Sequence, residues 1–186
     1  MLYIIAGVPR SGKSILSRRF HLVKNIPYFS TDFLMMGLYE GLPQLGVSPK
    51  IPAGENAPLM WPILKGTLKS IVESQDEDYL IEGEAFLPAQ MSELVKMFPS
   101  KIKVCFIGYT DISPEQKLKD IRENKSLAND WSSQESDEYI MDFVTRMNKL
   151  SKFIKEECDK YQLTYYDTSK EFNNKLNNAY EYLAKK

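Results

Sequence analysis

Cysteine, histidine, arginine and net charge are all scarce in this chain, and each scarcity excludes something. Among 186 residues there are two cysteines, Cys105 and Cys158, and one histidine, His21. Two thiols so placed form neither a disulfide framework nor the paired spacing of a zinc site. They are expected as reduced thiols in a cytoplasmic protein. Lys and Arg total 24 against 25 Asp and Glu, for a formal charge of −1. That balance lacks the basic track that binds a nucleic-acid backbone, so no nucleic-acid partner is expected. No apolar run approaches the roughly 18 residues of a membrane span. The opening MLYIIAGV has no basic leader and no small-residue cleavage site, so it reads as the start of a folded cytoplasmic chain. What remains is an ordinary globular composition, 43% hydrophobic and 26% charged, of a size suited to one domain.

Short apolar runs alternate with helical patterns along the chain. Leu2–Ala6, Tyr28–Ser30, Tyr79–Ile81, Val104–Ile107 and Thr164–Tyr166 read as strands. Lys13–Val23, Met60–Ser74, Ala89–Phe98, Pro114–Glu123, Asp137–Lys160 and Lys170–Ala184 read as helices. In the fifth helix Ile140, Phe143, Val144, Met147, Leu150, Ile154 and Cys158 recur at three and four, one apolar face of an amphipathic helix. Strand–helix alternation predicts an α/β fold, a parallel sheet with helices on both faces. Two segments interrupt it. Gly37–Pro58 is so rich in Gly and Pro that no long helix or central strand is expected there. Asn124–Ser136 is polar and lies between two helical patterns. Segments of this kind in small domains serve as lids or binding loops, or are disordered. The chain reads as one domain, 1–186, with an acceptor-binding insertion at 37–61 and a lid-like insertion at 111–136.

Gly7-Val8-Pro9-Arg10-Ser11-Gly12-Lys13-Ser14 satisfies G-x-x-x-x-G-K-[ST] at every fixed position, between a predicted strand and a predicted helix. A chain of this length meets that pattern by chance in roughly one case in a hundred or fewer. The glycines allow a tight turn in which successive N–H groups converge on phosphate oxygens, and the helix adds its positive N-terminal end. Lys13 is placed to reach the β- and γ-phosphates, and the Ser14 hydroxyl to ligate Mg²⁺. Nucleotide contacts are therefore expected from Gly7, Val8, Pro9, Arg10, Ser11, Gly12, Lys13, Ser14 and the adjoining Ile15. For Arg10 a phosphate contact and a solvated loop position are both open. Arg18 and Arg19 suit packing of their stems, and His21 suits packing better than catalysis.

Open α/β sheets bind ligands beyond the carboxyl ends of their strands. Ser30-Thr31-Asp32 ends the second strand. Thr31 or Asp32 is either a helix N-cap or, for Asp32, the group that orients or deprotonates an acceptor hydroxyl. Tyr79-Leu80-Ile81-Glu82-Gly83-Glu84 ends the third. A carboxylate there is costly to bury unpaired, which favours Mg²⁺ or water positioning for Glu82. For Glu84, acceptor contact and solvation are both open.

The order of these motifs (GVPRSGKS, then STD, LIEG, a lid-like insertion and YYDTS) resembles the adenylate-kinase-like P-loop small-molecule kinases. That group includes nucleoside monophosphate, shikimate and gluconate kinases and chloramphenicol phosphotransferase. The resemblance implies a P-loop NTPase three-layer sandwich with a five-stranded parallel sheet of order 2-3-1-4-5. It implies ATP and Mg²⁺ as cofactors, Asp32 facing the acceptor, Glu82 and Ser14 supporting the metal, and Thr168 in Asp167-Thr168-Ser169 beside the adenine. Ser113–Asn129 would form the lid, with Arg122 its one arginine and Lys117, Lys119 and Lys125 nearby. Asn129-Asp130-Trp131 is similar to uncharacterised members. Holding two polyanions together favours several bidentate arginines, and outside the loop this chain offers Arg18, Arg19, Arg122 and Arg146. A hydroxyl acceptor is thus favoured over a phosphate acceptor, with Tyr39, Met60 and Trp61 available as apolar walls or as core. The expected function is ATP–Mg²⁺-dependent transfer of the γ-phosphate to a small molecule, catalytic through Lys13, Asp32 and Arg122. The alternatives are a nucleotide-dependent switch with slow hydrolysis, and a nucleoside monophosphate or polynucleotide-end kinase.

Overall fold

The computed structural model describes residues 1–74, 77–124 and 131–185. Five parallel strands form one sheet: β1 (Leu2–Gly7), β2 (Tyr28–Ser30), β3 (Tyr79–Gly83), β4 (Ile102–Gly108) and β5 (Thr164–Asp167), in the order β2-β3-β1-β4-β5. The order is the expected one. Its registers pair Ile4 with Ile81 and Val104, and Ser30 with Glu82, so the ends of β2 and β3 lie side by side.

Alternation along the central strands divides the core in two. Ile4, Ala6, Ile81, Val104 and Phe106 face one layer. Ile5, Leu80, Cys105 and Ile107 face the other. On the first face lie α2 (Thr31–Gly41), α3 (Ala53–Ser74), α4 (Pro88–Met97) and α6 (Asp137–Tyr161), represented by Leu38, Met60, Leu64, Leu68, Met91, Ile140 and Val144. The second face is covered by α1 (Lys13–Lys24) and α7 (Phe172–Ala184) through Leu16, Phe20, Leu176, Ala179 and Leu183. Strands buried on both sides read as continuous apolar runs, which is why LYIIA and KVCFI stood out in the sequence. Cys105 and Cys158 are buried free thiols. No helix of the described residues is long and apolar enough to cross a membrane.

The glycine- and proline-rich stretch departs from expectation. Helix α2 runs through Gly37 to Gly41, and α3 begins at Ala53, seven residues ahead of Met60, with Pro58 and Pro62 inside it. Each proline removes one N–H and presses on the carbonyl four residues back. Pro58 and Pro62 are four apart and both exposed, so the broken bonds lie along one wet face where water replaces them. The opposite face, Asn56, Ala57, Met60, Leu64 and Leu68, is buried and holds the helix to the core. Asn56 also ties down the preceding loop: its amide nitrogen donates to the Ser48 carbonyl at 2.7 Å and its oxygen accepts from the Ser48 N–H at 3.1 Å. Met60 is therefore core, fully buried, with Trp61 partly buried against it.

After β4, α5 (Pro114–Glu123) and a short 3-10 turn (Trp131–Ser133) lead to α6. Lys125, Asn129 and Asp130 lie outside the described residues.

Candidate active site

The phosphate-binding loop joins β1 to α1 in the centre of the sheet, at the carboxyl ends of the strands. Gly7 has φ 132°, and a Cβ there would stand 1.9 Å from the Ile107 carbonyl oxygen, so only glycine lets the loop leave β1 beside β4. Gly12 ends the loop as the N-cap of α1. No described side chain caps this helix, and its first turn carries no acid. The first N–H groups and the positive end of the dipole are thus left to an external anion. The Lys13 ammonium, almost fully buried, donates to the Val8 carbonyl at 2.9 Å across the loop.

Two residues support the loop from behind. Tyr109 is fully buried at the end of β4, and its hydroxyl donates to the Pro9 carbonyl at 3.1 Å. Burial raises its phenol, so it stays a neutral donor. Thr168, also buried, follows β5; its hydroxyl lies 3.0 Å from the Gly108 carbonyl and 3.5 Å from the Ser11 carbonyl. Asp167 clamps the adjacent turn. Burial would raise its carboxyl, but hydrogen bonds from Ser169 and Thr110 outweigh that and hold it below the usual range.

Two carboxylates, Glu82 and Glu84, stand near Lys13, and a third, Asp32, acts on both. Glu82, at the end of β3, is 5% exposed and lies level with Ser30 in the sheet register. Burial pushes its carboxyl up; Lys13 opposes this, and Asp32 adds to it. Glu84 is raised likewise, by burial first and then by Asp32 and Glu82, against Lys13. Asp32 is exposed in the first turn of α2, where the N-terminal dipole favours it. It is not the cap. Ser30 is, accepting the Asp32 N–H at 3.4 Å. Neither Thr31 nor Asp32 fills the capping role, which leaves the Asp32 carboxylate facing the other two. Gly83 makes this approach possible: a Cβ on it would stand 1.8 Å from Thr31 Oγ1, whose buried hydroxyl has no partner among the described residues.

The remaining candidates divide. Ile15 is 60% exposed, so only its backbone belongs to the loop. Arg122 does not reach the loop. Its Nε and Nη2 bind Asp137 Oδ1 at 3.1 and 2.7 Å, while Nη1 and Nη2 bind the Ser132 and Glu135 carbonyls at 2.7 Å each. Arg19 packs over Tyr180 and donates to Asn177. The His21 ring packs against Tyr28 and donates from Nδ1 to the Ile26 carbonyl at 2.9 Å. Sequence reasoning missed Tyr109, whose one signal was its place at the end of an apolar strand. Lys117, expected among the cations of the lid, is instead buried between the rings of Tyr109 (4.5 Å) and Phe172 (5.7 Å). Burial pulls the Lys117 ammonium down to about 8, with Arg10 adding to the effect and Asp120 opposing it.

No protein-family model and no curated protein matches the sequence. Solved structures do. Shikimate kinase from Bacteroides thetaiotaomicron superposes with a TM-score of 0.59 at 15% identity, over 99% of this chain and 98% of that one. A gluconokinase from Sinorhizobium meliloti 1021 gives 0.59 at 13%, over 98% and 90%. An uncharacterized protein from Eubacterium ventriosum gives 0.54 at 13%, over 100% and 99%. Identities this low speak to the fold. The chain has the fold of the P-loop small-molecule kinases, the group its motifs resemble.

Proposed function

We propose that this protein is an ATP–Mg²⁺-dependent kinase that transfers the γ-phosphate to a hydroxyl of a small molecule. The observation that carries the proposal is the pair of carboxylates at the strand ends beside the loop: Glu82, buried and acted on by Lys13, and Asp32, exposed at the head of α2. A phosphate-binding loop alone needs at most one acid, for the metal. Here a second carboxylate stands exposed at the head of another helix, free to meet an acceptor.

The residues present fit magnesium. Mg²⁺ takes oxygen ligands from one or two protein groups and completes its shell with phosphates and water, and the buried Glu82 carboxylate with the Ser14 hydroxyl in the first turn of α1 is such a set. Ser14 and Glu82 would hold the ion, which when bound neutralises charge on the β- and γ-phosphates. The Gly12–Ile15 N–H groups bind phosphate oxygens, and Lys13 leaves the Val8 carbonyl to pair with them. Asp32 orients the acceptor hydroxyl and takes its proton. The acceptor oxygen bonds to phosphorus as the bond to the bridging oxygen breaks, and ADP departs with that electron pair.

The lobe of α2 and α3 supports a neutral acceptor. Between Asn25 and Leu64 there is no arginine and one lysine, Lys50, which is exposed, against Asp32, Glu40 and Glu55. The test is incubation with γ-labelled ATP–Mg²⁺ and pooled small metabolites, resolved by mass. A labelled product formed by the wild type and not by Lys13→Ala is expected. Tight ATP binding with no product from any pool would favour a nucleotide-dependent switch instead.

A further inference from the structure

Helix α5 carries a lysine where the helical spacing calls for an apolar residue. Lys117 and Ile121, one turn apart, are the residues that α5 buries, and Lys117 is 5% exposed. Its ammonium lies 4.5 Å from the centre of the Tyr109 ring and 5.7 Å from that of Phe172. Both rings bear on the phosphate-binding loop. The Tyr109 hydroxyl donates to the Pro9 carbonyl. Phe172, the first residue of α7, packs on Gly12, where a Cβ would stand 2.9 Å from Phe172 Cζ. A positive charge is thus held between two side chains that touch the loop backbone, one near each of its ends.

This charge lacks an anion. Among the described residues the Lys117 ammonium has no hydrogen-bond acceptor and no ion pair. Asp120, the acid that acts on it from α5, accepts a hydrogen bond from Gln116 instead. Tyr109 stays a neutral phenol, and Phe172 brings no charge. From the loop itself comes a like charge, Arg10, whose Nη2 donates to Ser132 Oγ at 2.7 Å. Ring faces recover only part of what it costs to take an ammonium out of water. An apolar residue at this position would not bear that cost. A polyanion seated in the loop would remove it.

We propose that Lys117 belongs to the nucleotide site: from behind the loop it offers a buried positive charge to the polyphosphate, which in return supplies the counter-charge that the protein alone does not provide. The assignment rests on the nucleotide binding in the kinase reading above and not on the transfer step. Lys117 acts on the bound phosphates through its field, without contact, so it is a positioning charge and not a catalytic residue. The coupling is reciprocal: the lysine tightens the nucleotide, and the nucleotide holds the lysine protonated.

The test is calorimetry of Mg²⁺–ADP binding to the wild type and Lys117→Met, an unbranched apolar side chain that suits a place between rings. At neutral pH the affinity of Lys117→Met should fall about tenfold, the order of one unit charge acting through partly screened protein. Its melting temperature without nucleotide should not fall, because the variant no longer buries an unpaired ammonium. A purely structural lysine would show the reverse, lost stability with affinity intact. The wild type gives a second reading. Burial, with Arg10 adding and Asp120 opposing, brings the Lys117 ammonium to about 8, and a polyanion nearby raises it. Just above that pH, binding should take up a proton, read as a dependence of the binding heat on the buffer's ionisation enthalpy. Affinity should decline as pH rises further, and both effects should vanish in Lys117→Met. Wild-type affinity in Lys117→Met, or proton uptake that survives the substitution, would overturn the assignment alone. A wild type that does not bind Mg²⁺–ADP would overturn the kinase reading with it. A Lys117-dependent site in a protein that transfers no phosphate would overturn that reading and leave this one standing.

Discussion

Glu82 near the end of β3 and Glu84 just after it stand beside Asp32, and for both of them burial and the neighbouring acids make the charged form costly. A carboxyl whose folded pKa lies above its unfolded value stabilises the fold only while protonated. That contribution is present below the unfolded value of 4.5 and is lost as pH rises through the folded one. At neutral pH the protein without nucleotide therefore bears an unrelieved cost at Glu82, which a bound cation would remove. Glu82→Gln keeps the side-chain shape and drops the charge. Its melting temperature at neutral pH should rise, by roughly 2–4 °C for each kcal/mol recovered in a chain of this size. Its affinity for Mg²⁺–ADP should fall about tenfold or more, since a cation ligand is lost. In the wild type, Mg²⁺–ADP affinity should weaken as pH drops from neutral into the mildly acidic range, and in Glu82→Gln that slope should vanish. Calorimetry across pH checks both. A lower melting temperature together with unchanged metal dependence would count against the site.

At the scale of elements, the lobe formed by α2 and α3 shows how far local rules reach. Gly37 and Gly41 lower helix propensity, yet α2 forms because Ser30 caps it, Asp32 complements its dipole, and Leu38 is buried. The prolines of α3 are tolerated because both face water while Met60, Leu64 and Leu68 are anchored. Pro62→Ala restores an N–H aimed at the Pro58 carbonyl and installs the best helix former. It should stabilise the protein by about 1–2 kcal/mol, less than the full interior-proline cost because the bend has already absorbed part of it. Chemical denaturation reads this directly, and a loss of stability would mean that the bend is required for the lobe to pack.

Across the whole molecule, what could be read from sequence was what is contiguous. GVPRSGKS carries its chemistry within eight residues, and apolar runs such as KVCFI announce strands buried on both faces, so strands, loop and strand-end acids were legible, while the sheet order came from the family resemblance. Helix α2 was not, because its cap belongs to the preceding strand and its glycines pointed to a loop. The contacts that complete the site were also out of reach. Arg10 meets Ser132 across 122 positions, and the Tyr109 hydroxyl meets Pro9 across 100; no local pattern encodes either pair. The fold brings them together at the carboxyl ends of β1 and β4, on the side of β1 opposite the acids of β3. The central claim is that this cleft divides its labour, with Lys13 holding nucleotide and Asp32 activating an acceptor. The most direct test is paired measurement of Mg²⁺–ATP affinity and phosphoryl transfer in the wild type, Lys13→Ala and Asp32→Asn. Lys13→Ala should abolish transfer. Asp32→Asn should bind nucleotide within about threefold of the wild type while transfer falls about a hundredfold or more, the scale of a lost general base. Undiminished transfer in Asp32→Asn would contradict the account.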